Sequence, residues 1–131
     1  MGTRIVIVGN SAAALSAIRA IRQRSLEHSI TLISREDCCA YSPVLTTHYL
    51  ADRMPEERLF IVDESFYRGA GVECVLGKEA VGLDPNRQVV VLNDGKRIYY
   101  DRVLIATGAS PKALEVVDGG VAGDICYLEN S

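Results

Sequence analysis

Gly9-Asn10-Ser11-Ala12-Ala13-Ala14 carries the strongest chemical signal in the sequence. It is a variant of G-x-G-x-x-G/A, the turn that holds the pyrophosphate of a dinucleotide. The first glycine allows a tight turn, and the third small residue, here Ala14, lets a helix pack closely on a strand. Amides at the helix start, aided by its dipole, can then hold an anion. Ser11 stands at the middle position, so a side chain occupies the place where backbone should approach phosphate, and its hydroxyl can serve as a donor instead. A carboxylate for the adenosine ribose is expected near the end of the next strand, about 20 residues beyond the turn. Ser34 occupies the usual place and Glu36 follows it. Glu36 reads either as the ligand of the ribose hydroxyls or as a solvated loop glutamate. Arg35 reads either as cover for the adenine face or as an exposed arginine.

Elements of a β-α-β unit must position these residues. Arg4–Val8 is a continuous β-branched run, the pattern of a strand buried on both faces of a parallel sheet. Ala12–Arg24 is alanine-rich, with Ala14, Ile18 and Ile21 at helical spacing and Arg19, Arg22 and Arg24 near the C-terminal end of its dipole. Ser29–Ile33 alternates as a second strand. Beyond an irregular loop, residues 45–51 suggest a short helix, and Asp63 is suited to cap another that ends at Gly69 or Gly71. Residues 72–76 read as a third parallel strand. Residues 78–83, 88–92 and 96–100 are strand-like runs joined by Asp84-Pro85-Asn86 and Asn93-Asp94-Gly95, strong turn signals that imply a three-stranded antiparallel meander. Residues 102–106 return to the buried-strand pattern and stop at Thr107-Gly108. The fold class is therefore α/β, a Rossmann-like parallel sheet carrying a three-stranded antiparallel meander.

Composition narrows the function. The 131 residues are 48% hydrophobic and 24% charged, enough apolar content for one core. With 14 basic and 17 acidic residues and a net charge of −3, the chain lacks the basic excess of a nucleic-acid binder. No apolar stretch approaches the roughly 20 residues that span a bilayer. The apolar run after Arg4 is too short for a signal peptide and leads straight into the phosphate turn. Cys38, Cys39, Cys74 and Cys126 show no metal-like spacing and read as reduced thiols, which points to the cytoplasm.

At this point the sequence resembles the N-terminal part of the FAD-dependent pyridine-nucleotide oxidoreductases, nearest to their ferredoxin-, rubredoxin- and nitrite-reductase-like branch. The resemblance runs from Arg4 to Pro111. It rests on IVIVGNSAAA, ITLISRE, YSPVLTTHYLA, the KEAVGLDPNRQVVVLNDGKRIYYD meander and, most specifically, RVLIATGASP. It implies that Gly9, Asn10, Ser11, Ala12 and Ala13 hold the FAD pyrophosphate, with Arg35 and Glu36 at the adenosine half. It implies that Val81 meets adenine through its backbone, that Ala106, Thr107 and Gly108 lie close to the cofactor, and that Pro43 and Thr46 approach the isoalloxazine. NAD(P)H would reduce the flavin of the whole protein, and a small redox protein or centre would take the electrons. A homodimer is compatible with it; nucleic acid and membrane are not expected partners.

The departures from the family pattern are specific. Ile18 replaces a small residue common one turn beyond the fingerprint, and a lysine common near the flavin has no counterpart in residues 42–48. The redox cysteine of the related disulfide reductases and NADH oxidases falls close to Ser42, so a cysteine-based mechanism is not expected. Cys38-Cys39 would pair only in a strained ring and reads as loop thiols; Cys74 reads as core. His48 reads either as a proton-transfer residue or as a surface histidine, His28 as a surface helix end, and Tyr99 and Tyr100 as strand packing. No second glycine-rich fingerprint follows. Residues 1–117 are therefore expected to be the N-terminal part of an FAD-binding domain, and residues 118–131 a connector toward an NAD(P)-binding domain. The chain is expected to be a piece of a longer enzyme, inactive alone and binding at most the ADP half strongly. Two rivals stand beside this reading: a cysteine-using NADH oxidase or CoA-disulfide reductase, and a non-catalytic module that binds NAD or AMP.

Overall fold

Branched side chains restrict χ1 and pack well on a pleated surface, so the runs rich in valine and isoleucine become strands. The structure, a computed structural model, describes residues 2–110. Strands β1 (Arg4–Val8), β2 (Ser29–Ile33), β3 (Val72–Val75) and β7 (Arg102–Ile105) form a parallel sheet in the order β3-β2-β1-β7. Strands β4 (Ala80–Asp84), β5 (Val89–Leu92) and β6 (Arg97–Tyr99) form the antiparallel meander. Helices α1 (Ala12–Arg24), α2 (Thr46–Leu50) and α3 (Glu64–Gly69), with 3-10 turns at Pro43–Leu45 and Glu56–Arg58, complete the described elements. The expected connector at residues 118–131 and Cys126 lie outside the described residues.

Alternation along β1 feeds two cores. Ile7 is fully buried with Ile30 and Leu32 against Ala14, Leu15 and Ile18 of α1 and Tyr67 of α3. Val6 points the other way and packs with Ile33 against Val90, Leu92 and Tyr100 of the meander segment. The centre of the sheet is thus covered on both faces, which is why β1 carries an almost unbroken apolar run. Asp63 caps α3, its Oδ1 accepting from the amides of Ser65 at 3.0 Å and Phe66 at 3.3 Å. Among the described residues no helix is long and apolar enough to cross a membrane.

The short helix expected over residues 45–51 is α2, Thr46–Leu50, entered from a 3-10 turn at Pro43–Leu45. Other expectations need correction. The meander strand begins at Ala80 rather than at 78, and its register shifts between Ala80 and Gly82, a bulge that leaves Val81 exposed. Tyr100 is buried, but Tyr99 is 55% exposed, since neighbouring strand residues face opposite sides and only one side meets the sheet. β7 has the buried-strand pattern yet leaves Ile105 63% exposed, because among the described residues it has a partner on one edge only. His28 is half-buried rather than a bare helix end: its Nδ1 accepts from the Thr3 amide at 3.1 Å.

Arg22 has a role that charge patterning did not reveal. Its guanidinium donates to the carbonyls of His28 at 2.9 Å, Gly71 at 3.3 Å and Ser25 at 3.4 Å, and also to that of Ala70. One side chain thereby ties the end of α1 to the entry of β2 and the end of α3.

Candidate functional site

The carboxyl ends of β1, β2 and β7 meet at one place, the position where open parallel sheets bind ligands. Gly9 sits at that junction with φ +110°. Its amide donates to the Ile33 carbonyl at 2.8 Å, and the Ala106 amide donates to Val8 at 2.7 Å. A side chain at position 9 would run into the Ala106 carbonyl, so only glycine lets the three strand ends close together. Ser11 then enters α1 with an extended backbone and makes no side-chain capping bond. The first turn of α1 carries no acidic residue, which leaves its amides and positive dipole end available to an anion.

A cavity of about 860 Å³ opens over this turn, within the size range of ligand clefts. Gly9, Asn10, Ser11 and Ala13 line one side, Arg35, Glu36 and Pro43 a second, and Ala106, Thr107 and Gly108 a third. Three segments far apart in sequence are thus brought together around one space. Ala12, Thr46 and Val81 are not in the lining: Ala12 is exposed on α1, Thr46 lies in α2, and Val81 stands on the bulge next to the lining residue Ala80. Sequence reasoning missed Tyr41, Lys78 and Glu79, which also line the cavity, and treated Ser34 only as a departure. Lys78 donates its amide to the Ser34 carbonyl at 2.9 Å, and its ammonium pairs with Asp94 at 3.1 Å. The only sequence signal for it was a lysine between a parallel strand and the meander.

Two cations, Arg35 and Lys78, and two acids, Glu36 and Glu79, share the rim. Tyr41 donates its hydroxyl to Glu36 Oε1 at 3.1 Å, which aims one carboxylate oxygen and leaves the other for a second donor. Burial, with the neighbouring Glu36 charge and hydrogen bond, pushes the Tyr41 phenol up to about 12, so it remains a donor at neutral pH. Gly108 has φ +72° and open space where a side chain would project. The Thr46 hydroxyl is buried with no hydrogen-bond partner among the described residues.

The described cysteines lie apart from this cavity. Cys38, Cys39 and Cys74 are free, and none lines the cavity. Burial raises the pKa of all three, with Glu36 and Asp37 adding to the effect at Cys38 and Glu64 and Asp63 at Cys39. All three are disfavoured as thiolates. His48 is exposed on α2. Among the described residues no group of three His, Cys, Asp or Glu side chains could hold a metal ion.

The sequence matches the pyridine nucleotide-disulphide oxidoreductase family over residues 3–130. This chain belongs to that family. Members of the family use FAD and NAD(P)H. A rubredoxin-NAD(+) reductase of Pseudomonas putida is 33% identical over 127 residues, covering 96% of this chain and 33% of that protein. The putidaredoxin reductase CamA of Pseudomonas putida is 30% identical over 127 residues, covering 95% of this chain and 30% of that protein. In the crystal structure of a covalent putidaredoxin reductase–putidaredoxin complex, one chain superposes with a TM-score of 0.79 at 29% identity, covering 89% of this chain and 28% of that one. The chain therefore spans about a third of the length of the curated relatives it matches. The resemblance of the phosphate turn, the meander and the RVLIATG strand to a flavoprotein reductase is borne out at the level of family and fold.

Proposed function

We propose that this chain is the FAD-binding part of an NAD(P)H-dependent oxidoreductase that passes electrons to a small redox protein or centre. The observation that carries the reading is the convergence of a phosphate-binding helix start, Arg35 with Glu36, and Ala106-Thr107-Gly108 on one cavity. The residues suit FAD. An open, left-handed Gly108 on the cavity wall is a feature that a close-lying ligand suits.

In this reading the α1 amides and the Ser11 hydroxyl hold the pyrophosphate, assisted by Gly9, Asn10, Ala12 and Ala13. Glu36, aimed by Tyr41, accepts from the ribose hydroxyls, and Arg35 covers the adenine, whose edge meets the backbone at Val81. Ala106, Thr107 and Gly108 wall the opposite side, and Pro43 and Thr46 belong to the isoalloxazine end. FAD, when bound, supplies hydride acceptance from NAD(P)H and onward electron transfer; the chain contributes binding and orientation. The similarity to reductases whose names specify rubredoxin and putidaredoxin supports a small redox protein as the acceptor. The parent enzyme works in the cytoplasm and carries its NAD(P)H site outside these residues. The 131-residue chain alone is expected to turn nothing over.

The test is a titration of this chain with FAD, followed by flavin fluorescence, with AMP and NAD as competitors. Saturable binding displaced by AMP is expected. Tighter binding of NAD than of FAD would favour a nucleotide module of another kind.

A further inference from the structure

We propose that Asn10 and Tyr67 act together as positioning residues that lock the phosphate turn to the loop carrying the adenosine-side residues. The proposal rests on the nucleotide reading of the cavity and extends it to a residue outside the lining. Position 10 is a variable place in the fingerprint, where no side chain is demanded. In this chain both ends of the Asn10 amide are used. Its Nδ2 donates to the Cys38 carbonyl at 3.2 Å, and its Oδ1 accepts from the Tyr67 hydroxyl at 2.8 Å. The same Tyr67 oxygen accepts from the Ala40 amide at 3.0 Å.

Tyr67 lies in α3, 57 residues beyond Asn10, and is only 5% exposed. Its ring is fixed edge-on against Phe66 at 5.4 Å between centroids. Burial raises its pKa, so the phenol keeps its proton and remains a donor. The chain of bonds from the Ala40 amide through Tyr67 to Asn10 and back to the Cys38 carbonyl closes on the loop of residues 34–41. That loop presents Arg35, Glu36 and Tyr41 to the cavity, while Asn10 sits inside the turn that begins at Gly9. The two halves of a nucleotide site are thereby held at a fixed separation before any ligand arrives. Sites held by packed and hydrogen-bonded neighbours bind more tightly than sites that must order themselves.

The test uses the 131-residue chain with Tyr67→Phe, Asn10→Ala and the double variant. Two readouts are taken: calorimetric titration with ADP, and amide hydrogen exchange of the ligand-free protein at Gly9 and Ile7. Each single variant is expected to bind ADP about tenfold more weakly, and the double variant no worse than the poorer single, since both remove one shared contact. Exchange at Gly9 is expected to rise about tenfold with Ile7 unchanged, a local loosening that a general loss of stability would not give. Should Tyr67→Phe fail to fold, Asn10→Ala carries the same comparison from the other side of the bond. Unchanged exchange at Gly9 in the folded variants, or additive losses of affinity, would overturn the proposal. If the unaltered chain binds neither ADP nor FAD, the nucleotide reading of this chain fails, and the exchange comparison still decides the positioning role.

Discussion

The Gly9→Ala variant probes the junction on which the whole site depends. Position 9 has φ +110°, a region that side chains rarely enter, at a cost of roughly 1–3 kcal/mol. The added methyl would also meet the Ala106 carbonyl, so β7 must move away from β1. That movement weakens the Ala106-to-Val8 bond of 2.7 Å and the Gly9-to-Ile33 bond of 2.8 Å, each worth about 1 kcal/mol net. A loss of about 3–4 kcal/mol follows, a large part of the stability of an ordinary domain. Gly95→Ala is the control: φ is +83° there too, but no atom lies within 4 Å of the added carbon, so only a conformational cost of about 1 kcal/mol applies. Urea unfolding followed by far-UV circular dichroism compares the two. Equal losses in both variants would refute the argument that strand closure at Ala106, rather than backbone freedom alone, requires glycine.

Three other expectations follow from the same structure. Removing the Arg22 guanidinium with Arg22→Ala should cost about 2 kcal/mol in urea unfolding, because four backbone carbonyls at the joint of α1, β2 and α3 lose a charged donor. Asp101 is held at about 2 by its side-chain hydrogen bond from Arg4 and by the Arg4 amide and charge. Its contribution is therefore complete above the ordinary carboxylate value of 3.8 and is lost as pH falls toward 2; Asp101→Asn should flatten the urea midpoint over that window. The double variant Cys38→Ser with Cys39→Ser should bind FAD within about twofold of the parent by flavin fluorescence, as neither thiol lines the cavity.

The β1-α1-β2 unit and its phosphate turn were legible because each local signal agreed with its neighbours: a branched run, a glycine, then alanines at helical spacing. α1 and β2 fall where periodicity puts them. The meander was legible from its two turn sequences, but the bulge at Val81 was not, since a one-residue register shift leaves the alternating pattern intact. Tyr99 illustrates a related limit, because strand membership does not say which face of a short strand is covered. β7 reads as a buried strand because its composition answers to the whole sheet, and only one of its edges is paired among the described residues.

In the site, Arg35 and Glu36 were reached from their distance beyond the phosphate turn, and Thr107 through the family resemblance of the RVLIATG strand. Lys78 and Tyr67 were not, because their places depend on hydrogen bonds to Ser34 and Asn10 that no local pattern encodes, and Tyr41 was not, because its bond to Glu36 depends on the path of an irregular loop. Arg22 was read as a dipole partner for α1 and proved to be a four-carbonyl clamp, a role set by where α3 ends.

The most direct test of the central claim is a map of backbone amide shifts, by nuclear magnetic resonance, as FAD and then ADP are added to the chain. The account expects the largest changes at Gly9, Ser11 and Ala13, at Arg35 and Glu36, and at Thr107 and Gly108, with ADP reproducing the first two groups. Saturable shifts confined to other surfaces, with the Gly9 turn unmoved, would contradict it.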